Sequence, residues 1–215
     1  MNYHPVSIDI YNKLSFEAER GGLVGGTQFT LGQNSIFIAS KDGIGKLIEE
    51  WLGIWAIKNG INISPNLGGQ SFPDFYINPE QSYLEIKTFD LDASPNFDVA
   101  NFESYCESVS YFPQRLNADY IILGYRLRGT ALQVEKIWLK KIWEICCPSE
   151  RFPLKVQAKR DVIYNIRPAN WFSPRATFST FCNPQDFINA LYLTQKQYLN
   201  IDFSDDESRF YKNIR

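Results

Sequence analysis

The chain has 215 residues, 44% of them apolar and 15% aromatic, and a formal charge of −2 at pH 7. That composition can bury a sizeable core and excludes a disordered or low-complexity protein. No apolar run is long enough to span a bilayer and no secretory leader is visible, so a soluble, cytoplasmic protein without membrane contact is expected.

In chain order, Gly21-Gly22 and Gly25-Gly26 bracket a flexible early loop. From Lys41 to Asn59 the positions Ile44, Leu47, Ile48, Trp51, Leu52, Ile54, Trp55 and Ile57 predict a largely buried helix that stops at Gly60. A polar loop over 62–69 leads into a hairpin: strand-like Phe75-Tyr76-Ile77, a turn over Asn78 to Gln81, then Tyr83 to Phe89. A helix is predicted within 98–112, closed by Pro113, and the apolar run 118–127 reads as a central strand buried on both faces. Leu132 to Val134 is placed to pair with that strand, Lys136 to Ile145 reads as a short helix, and 154–166 holds one or two strands. Residues 167–181 form a long polar loop, and a last helix runs from Pro184 to Leu199 with Asn183 as its N-cap. This order predicts an α/β (α+β) fold, a mixed sheet of five or six strands flanked by helices.

Four cysteines (Cys106, Cys146, Cys147, Cys182) lack zinc-site spacing, and His4 is the only histidine. Chemistry here therefore falls to carboxylates and lysine. The hairpin supplies them. Its two-residue period puts Glu85 and Lys87 on one face of the second strand and Leu84 and Ile86 on the other, while Asp74 begins the first strand. Two carboxylates converging on an ammonium suit a hard divalent metal beside an activated water. A surface strand with an ordinary Glu–Lys ion pair is the alternative reading of the same pattern.

Charge is unevenly spread. Residues 1–134 hold nine Lys and Arg against fifteen Asp and Glu, whereas residues 135–175 hold nine against four. A basic segment on an acidic body can follow phosphates locally. Within it, Arg167, Asn170, Trp171, Ser173, Arg175 and Thr177 share one loop and carry the donors and acceptors used to read base edges. Asn66, Gln70 and Ser71, just before the hairpin, form a second candidate DNA-contacting set, and an ordinary polar surface loop is the alternative reading of both.

The Pro73-Asp74 and Glu85-Ile86-Lys87 constellation resembles that of the PD-(D/E)xK nucleases, and the chain is similar to EcoRV-like type II restriction endonucleases in further ordered features. Lys58-Asn59-Gly60, Phe72-Pro73-Asp74-Phe75, Glu85-Ile86-Lys87-Thr88, Tyr111-Phe112-Pro113, the strand Asp119 to Tyr125, and a polar loop before a terminal helix with Asp186-Phe187 carry the likeness over roughly residues 41–199. The resemblance implies a restriction-endonuclease-like fold and Mg²⁺-dependent hydrolysis of double-stranded DNA at a short palindromic site, with Mn²⁺ able to substitute. Asp74, Glu85 and the Ile86 carbonyl would be metal ligands, Lys87 catalytic, and Glu49 an additional catalytic carboxylate from the preceding helix. A single domain over 1–215 is expected, with a catalytic core over 41–145 and the recognition loop and terminal helix over 150–199. A homodimer, drawing on Phe16, Phe29 and Phe37, and a cognate DNA methyltransferase as genetic partner complete the expectation. The competing readings are a structure-specific repair or junction-resolving nuclease and a catalytically silent DNA-binding domain.

Overall fold

In the computed structural model, which describes residues 3–68 and 72–200, helix α1 (Pro5–Glu19) starts at the lone histidine. His4 Nδ1 accepts from the Val6 N–H at 3.2 Å, Pro5 occupies the first turn, and the His4 N–H donates to the Asp119 carboxylate at 2.9 Å. The only imidazole in the chain is thus a helix cap. Strand β1 (Val24–Gly25) follows, then the hairpin β2 (Thr27–Leu31) and β3 (Asn34–Ile38). The Gly-bracketed segment expected to be a loop is in fact partly an edge strand: Val24 and Gly25 pair with Gln133 and Leu132. Close approach is the reason glycine stands at 26, since a Cβ there would lie 2.8 Å from the Thr130 carbonyl oxygen.

Helix α2 (Ile44–Lys58) ends at Asn59, and Gly60 takes the left-handed conformation (φ +68°) that favours glycine. One face of α2, through Ile44, Ile48, Leu52, Trp55 and Ala56, is buried. The rest corrects the expectation of a largely buried helix, because Leu47, Trp51, Ile54 and Ile57 are exposed, Ile57 at 71%. Next come β4 (Ile63–Pro65), β5 (Phe75–Ile77), β6 (Ser82–Asp90), β7 (Ala100–Asn101), α3 (Phe102–Tyr111), β8 (Asp119–Arg128) and β9 (Ala131–Lys140). The chain closes with β10 (Val156–Lys159), β11 (Val162–Ile166) and α4 (Pro184–Leu199).

Two compact units result, one from residues up to Ser94 with Asp119–Leu139, the other from Pro95–Ala118 with residues from Lys140 onward. The first contains a six-stranded mixed sheet in the order β1-β9-β8-β6-β5-β4, with β5 antiparallel and β8 parallel to β6. Leu84 and Ile86 of β6 join Ile121, Leu123, Leu52 and Leu14 in its core. Each such fully buried aliphatic side chain contributes about 1.5–3 kcal/mol. As predicted, β8 is buried along most of its length and β9 returns beside it across Gly129-Thr130.

The predicted helix over 136–145 is overturned. Residues through Lys140 extend β9, and only a single 3₁₀ turn, Ile142–Glu144, follows. Lys136-Ile137-Trp138-Leu139 fits a helix by local pattern, but pairing along β8 satisfies more backbone groups than an isolated short helix would.

The second unit pairs β10, β11 and β7 in a three-stranded antiparallel sheet. Helices α3 and α4 pack together there, with Tyr105 edge-on to Phe187 at 6.0 Å. Helix α4 begins as the sequence predicts: the Asn183 side chain accepts from the Asp186 N–H at 2.9 Å and Pro184 fills the first turn.

Candidate active site

The hairpin register sets the geometry. Phe75 pairs with Leu84 and Ile77 with Ser82, so extending the ladder by one step puts Asp74 opposite Glu85. Edge-on packing of Tyr76 with Tyr83 (6.0 Å) and of Phe72 with Tyr83 (5.3 Å) holds the strands in that register. Backbone and side chains then interlock. The Ile86 N–H donates to Asp74 Oδ2 at 2.7 Å, and the Asp74 N–H donates to Glu85 Oε2 at 3.3 Å. Lys87 Nζ donates to Glu85 Oε1 at 2.9 Å. The convergence of Asp74, Glu85 and Lys87 expected from the alternation is present.

Glu85 is buried at 7% exposure and Lys87 is half-buried. Burial, and then the facing Glu85 carboxylate, push Asp74 up to about 7. The Lys87 ammonium and the Ile86 N–H pull downward without cancelling them, and Glu49 adds a further upward push. Two carboxylates thus stand beside one ammonium, with Glu85 buried and Asp74 and Lys87 half-buried. That donor set is short of positive charge and rich in hard oxygen, which fits a Mg²⁺-like cation retaining several of its waters.

Glu49 is half-buried on α2, and its neighbour Glu50 is exposed. Glu49 Oε1 accepts from Lys46 at 2.6 Å, and that bond raises the Lys46 pKa. Among the described residues no three His, Cys, Asp or Glu side chains stand close enough to hold an ion together. Glu49 is therefore felt by Asp74 through its charge and does not complete a three-carboxylate cage. Sequence reading missed Lys46, although its spacing three residues before Glu49 on a predicted helix is an ion-pair signal.

In the second unit, the loop after β11 separates into a held part and a presented part. Arg167 donates to the Asp98 carboxylate and to the Asn96 carbonyl. Asn170 and Ser173 are half-buried, and so is Trp171, whose ring meets Phe97 at 6.2 Å and Phe172 at 5.7 Å. Arg175 and Thr177 are exposed. Of the earlier loop, Asn66 is half-buried, its side chain accepting from the Gly68 N–H at 3.0 Å and its N–H donating to the Asp74 carbonyl at 3.0 Å. Gln70 and Ser71 lie outside the described residues.

A profile of the NgoBV restriction endonuclease family matches residues 5–213. The chain belongs to that family. It is 33% identical over 193 residues to the type II restriction enzyme NlaIV of Neisseria lactamica, covering 87% of this chain and 79% of that one. To the type II restriction enzyme NgoBV of Neisseria gonorrhoeae it is 30% identical over 155 residues, 70% of this chain and 88% of the other. The solved structure of NlaIV restriction endonuclease superposes with a TM-score of 0.79 at 29% identity, covering 97% and 96% of the two chains. The mixed sheet flanked by helices is thus a restriction-endonuclease fold, and this member of the NgoBV family is a type II restriction endonuclease acting on DNA. Among the described residues no helix is long and apolar enough to cross a membrane.

Proposed function

We propose that this NgoBV-family enzyme hydrolyses phosphodiester bonds of double-stranded DNA at a short palindromic site with Mg²⁺, using a PD-(D/E)xK-type site built on Asp74, Glu85 and Lys87. The observation that carries the reading is the hydrogen-bonded convergence of those three side chains on one hairpin. Asp74, Glu85 and the Ile86 carbonyl would hold the cation. When bound, it would polarise the scissile phosphate and lower the pKa of a coordinated water. The Ile86 N–H fixes the Asp74 carboxylate, and Glu85 holds Lys87 in place. From there the Lys87 ammonium can orient the attacking water and offset the charge that grows on the phosphate oxygens. Glu49 would act at the margin of the site, with Mn²⁺ able to replace Mg²⁺.

Base reading is assigned to the loop carrying Arg167, Asn170, Trp171, Ser173, Arg175 and Thr177, with Asn66, Gln70 and Ser71 as a second contact. The exposure of Arg175 and Thr177 supports it. A palindrome is read most simply by a two-fold dimer. Phe29, Leu31 and Ile36 are exposed on one face of the β2–β3 hairpin and Phe37 on the other, and Leu47, Trp51, Ile54 and Ile57 of α2 are exposed as well. Apolar surface on this scale is characteristic of an interface. Phe16 is exposed as well. A DNA methyltransferase protecting the same site would be its genetic partner.

The test is digestion of plasmid DNA with Mg²⁺ followed by sequencing of the fragment ends. Discrete fragments ending at one palindrome are expected. Random nicking, or no cutting with Mg²⁺ or Mn²⁺, would overturn the reading.

A further inference from the structure

Arg167 stands at the exit of β11, where a base-reading arginine is expected to point toward DNA. Its guanidinium instead bridges two acceptors of one distant segment, the Asp98 carboxylate and the Asn96 carbonyl. Between those two residues, the Phe97 ring packs against Trp171. Backbone bonds continue the junction: the Val99 N–H donates to the Ile166 carbonyl at 3.0 Å, and Ala100 and Asn101 pair with Ile166 and Asn165. Other pins hold the same stretch of loop. Lys155 Nζ donates to the Pro168 carbonyl at 2.9 Å, and the Ala169 N–H donates to the Ile145 carbonyl at 2.7 Å. Beyond Ser173, residues 174–177 are exposed.

We infer that Asp98 and Arg167 are positioning residues that preset the 167–177 loop for sequence reading, with Asp98 fixing specificity without touching DNA. The inference rests on the reading of that loop as the base-contacting element. Its physical basis is preorganisation. A planar fork held on a carboxylate and a carbonyl fixes the start of the loop in one geometry before DNA arrives. Conformational freedom removed in the free protein is not lost again on binding, and the gain appears only where the loop makes specific contacts.

The clamp and a direct DNA contact predict opposite signs. Were Arg167 a phosphate contact restrained by Asp98, neutralising Asp98 would free a cation and strengthen binding. If Asp98 presets the loop, neutralising it weakens cognate binding alone. The experiment measures binding of the cognate duplex, read from plasmid fragment ends, and of a random duplex at several salt concentrations, in a Lys87→Ala background.

Asp98→Asn and Arg167→Lys should each weaken cognate binding about fivefold, the scale of one well-placed exposed ion pair. Random-duplex binding should stay within about twofold and the salt slope should not change. The swapped pair Asp98→Arg with Arg167→Asp restores the ion pair but not the bond to the Asn96 carbonyl, so it should recover part of the loss, which a general folding defect would not allow. Unchanged or tighter cognate binding by Asp98→Asn overturns the clamp, and so does a salt slope reduced by about one in Arg167→Ala. Arg175→Ala separates the two levels. If it lowers the cognate-to-random ratio while Asp98→Asn does not, the clamp alone fails; if neither variant does, the loop is not the reader.

Discussion

Asp74 and Glu85 each engage the other's strand: the Asp74 carboxylate takes the Ile86 N–H, and the Glu85 carboxylate takes the Asp74 N–H. The relationship is reciprocal, so neither carboxylate can rotate away without leaving a shielded amide unpaired, which ordinarily costs about 1–3 kcal/mol. The two acids are held close in spite of their mutual repulsion.

Lys87 brings an ammonium to this pair, donating to Glu85 Oε1. Lys87→Ala should lower single-turnover cleavage by about 10²–10³-fold, the usual cost of losing one group that stabilises developing charge. Cognate DNA binding should stay within about threefold, because on the proposed mechanism the substitution removes an interaction made only in the transition state. A variant that cuts at a near-normal rate would remove Lys87 from the mechanism.

Asp74 gives a pH signature in the metal-free protein. Its pKa is about 7 in the fold against an ordinary 3.8, so the folded state keeps a proton that the unfolded state has lost. Stability from this group therefore falls as pH rises from about 4 through 7. Asp74→Asn should raise Tm by about 3–6 °C at pH 8 and change it little near pH 4. Mg²⁺ should stabilise the parent protein at pH 8 and leave the variant unmoved. Equal Tm differences at both pH values would contradict the assignment.

Glu49 and Glu50 are adjacent on α2 but differ in burial, and the Glu49 charge adds to the upward shift of Asp74. Glu49→Gln should lower cleavage about tenfold, within the range typical of groups just outside a metal's ligands, and raise the Mg²⁺ concentration for half-maximal rate. Glu50→Gln should remain within about twofold. Magnesium titrations of the two variants compare them directly, and identical curves would leave α2 no part in the site.

Exposed Phe37 and Trp51 put the dimer to the test. Phe37→Glu and Trp51→Glu place charges on surfaces at 63% and 40% exposure, so folding should be spared. Sedimentation velocity should show a dimer for the parent chain and a monomer for at least one variant. Cutting of both strands in one encounter should weaken with it. A parent chain that sediments as a monomer at micromolar concentration contradicts the dimer.

How much the sequence revealed depended on the range of the interaction. Asp74, Glu85 and Lys87 were legible because a two-residue alternation and a short turn fix a hairpin locally. The cap at Asn183 was legible for the same reason. Lys136 to Ile145 was misread because β9 is stabilised by β8, a partner that local propensity does not register. On α2 the density of apolar residues suggested burial on all sides, whereas Leu47 and Ile57 face outward. The tie between Asp98 and Arg167 spans 69 residues and leaves no local trace.

Strand β6 is hydrogen-bonded along both flanks, to β5 and to β8, and its apolar side chains belong to the core of the first unit. On the proposed reading the catalytic groups Glu85 and Lys87 stand on an interior strand, while the proposed base-contacting loop belongs to the other unit. If that assignment holds, changes of target sequence would accumulate by substitution in the loop without disturbing the strand that carries Glu85 and Lys87. A lineage can explore new sites while its blade stays as durable as the fold.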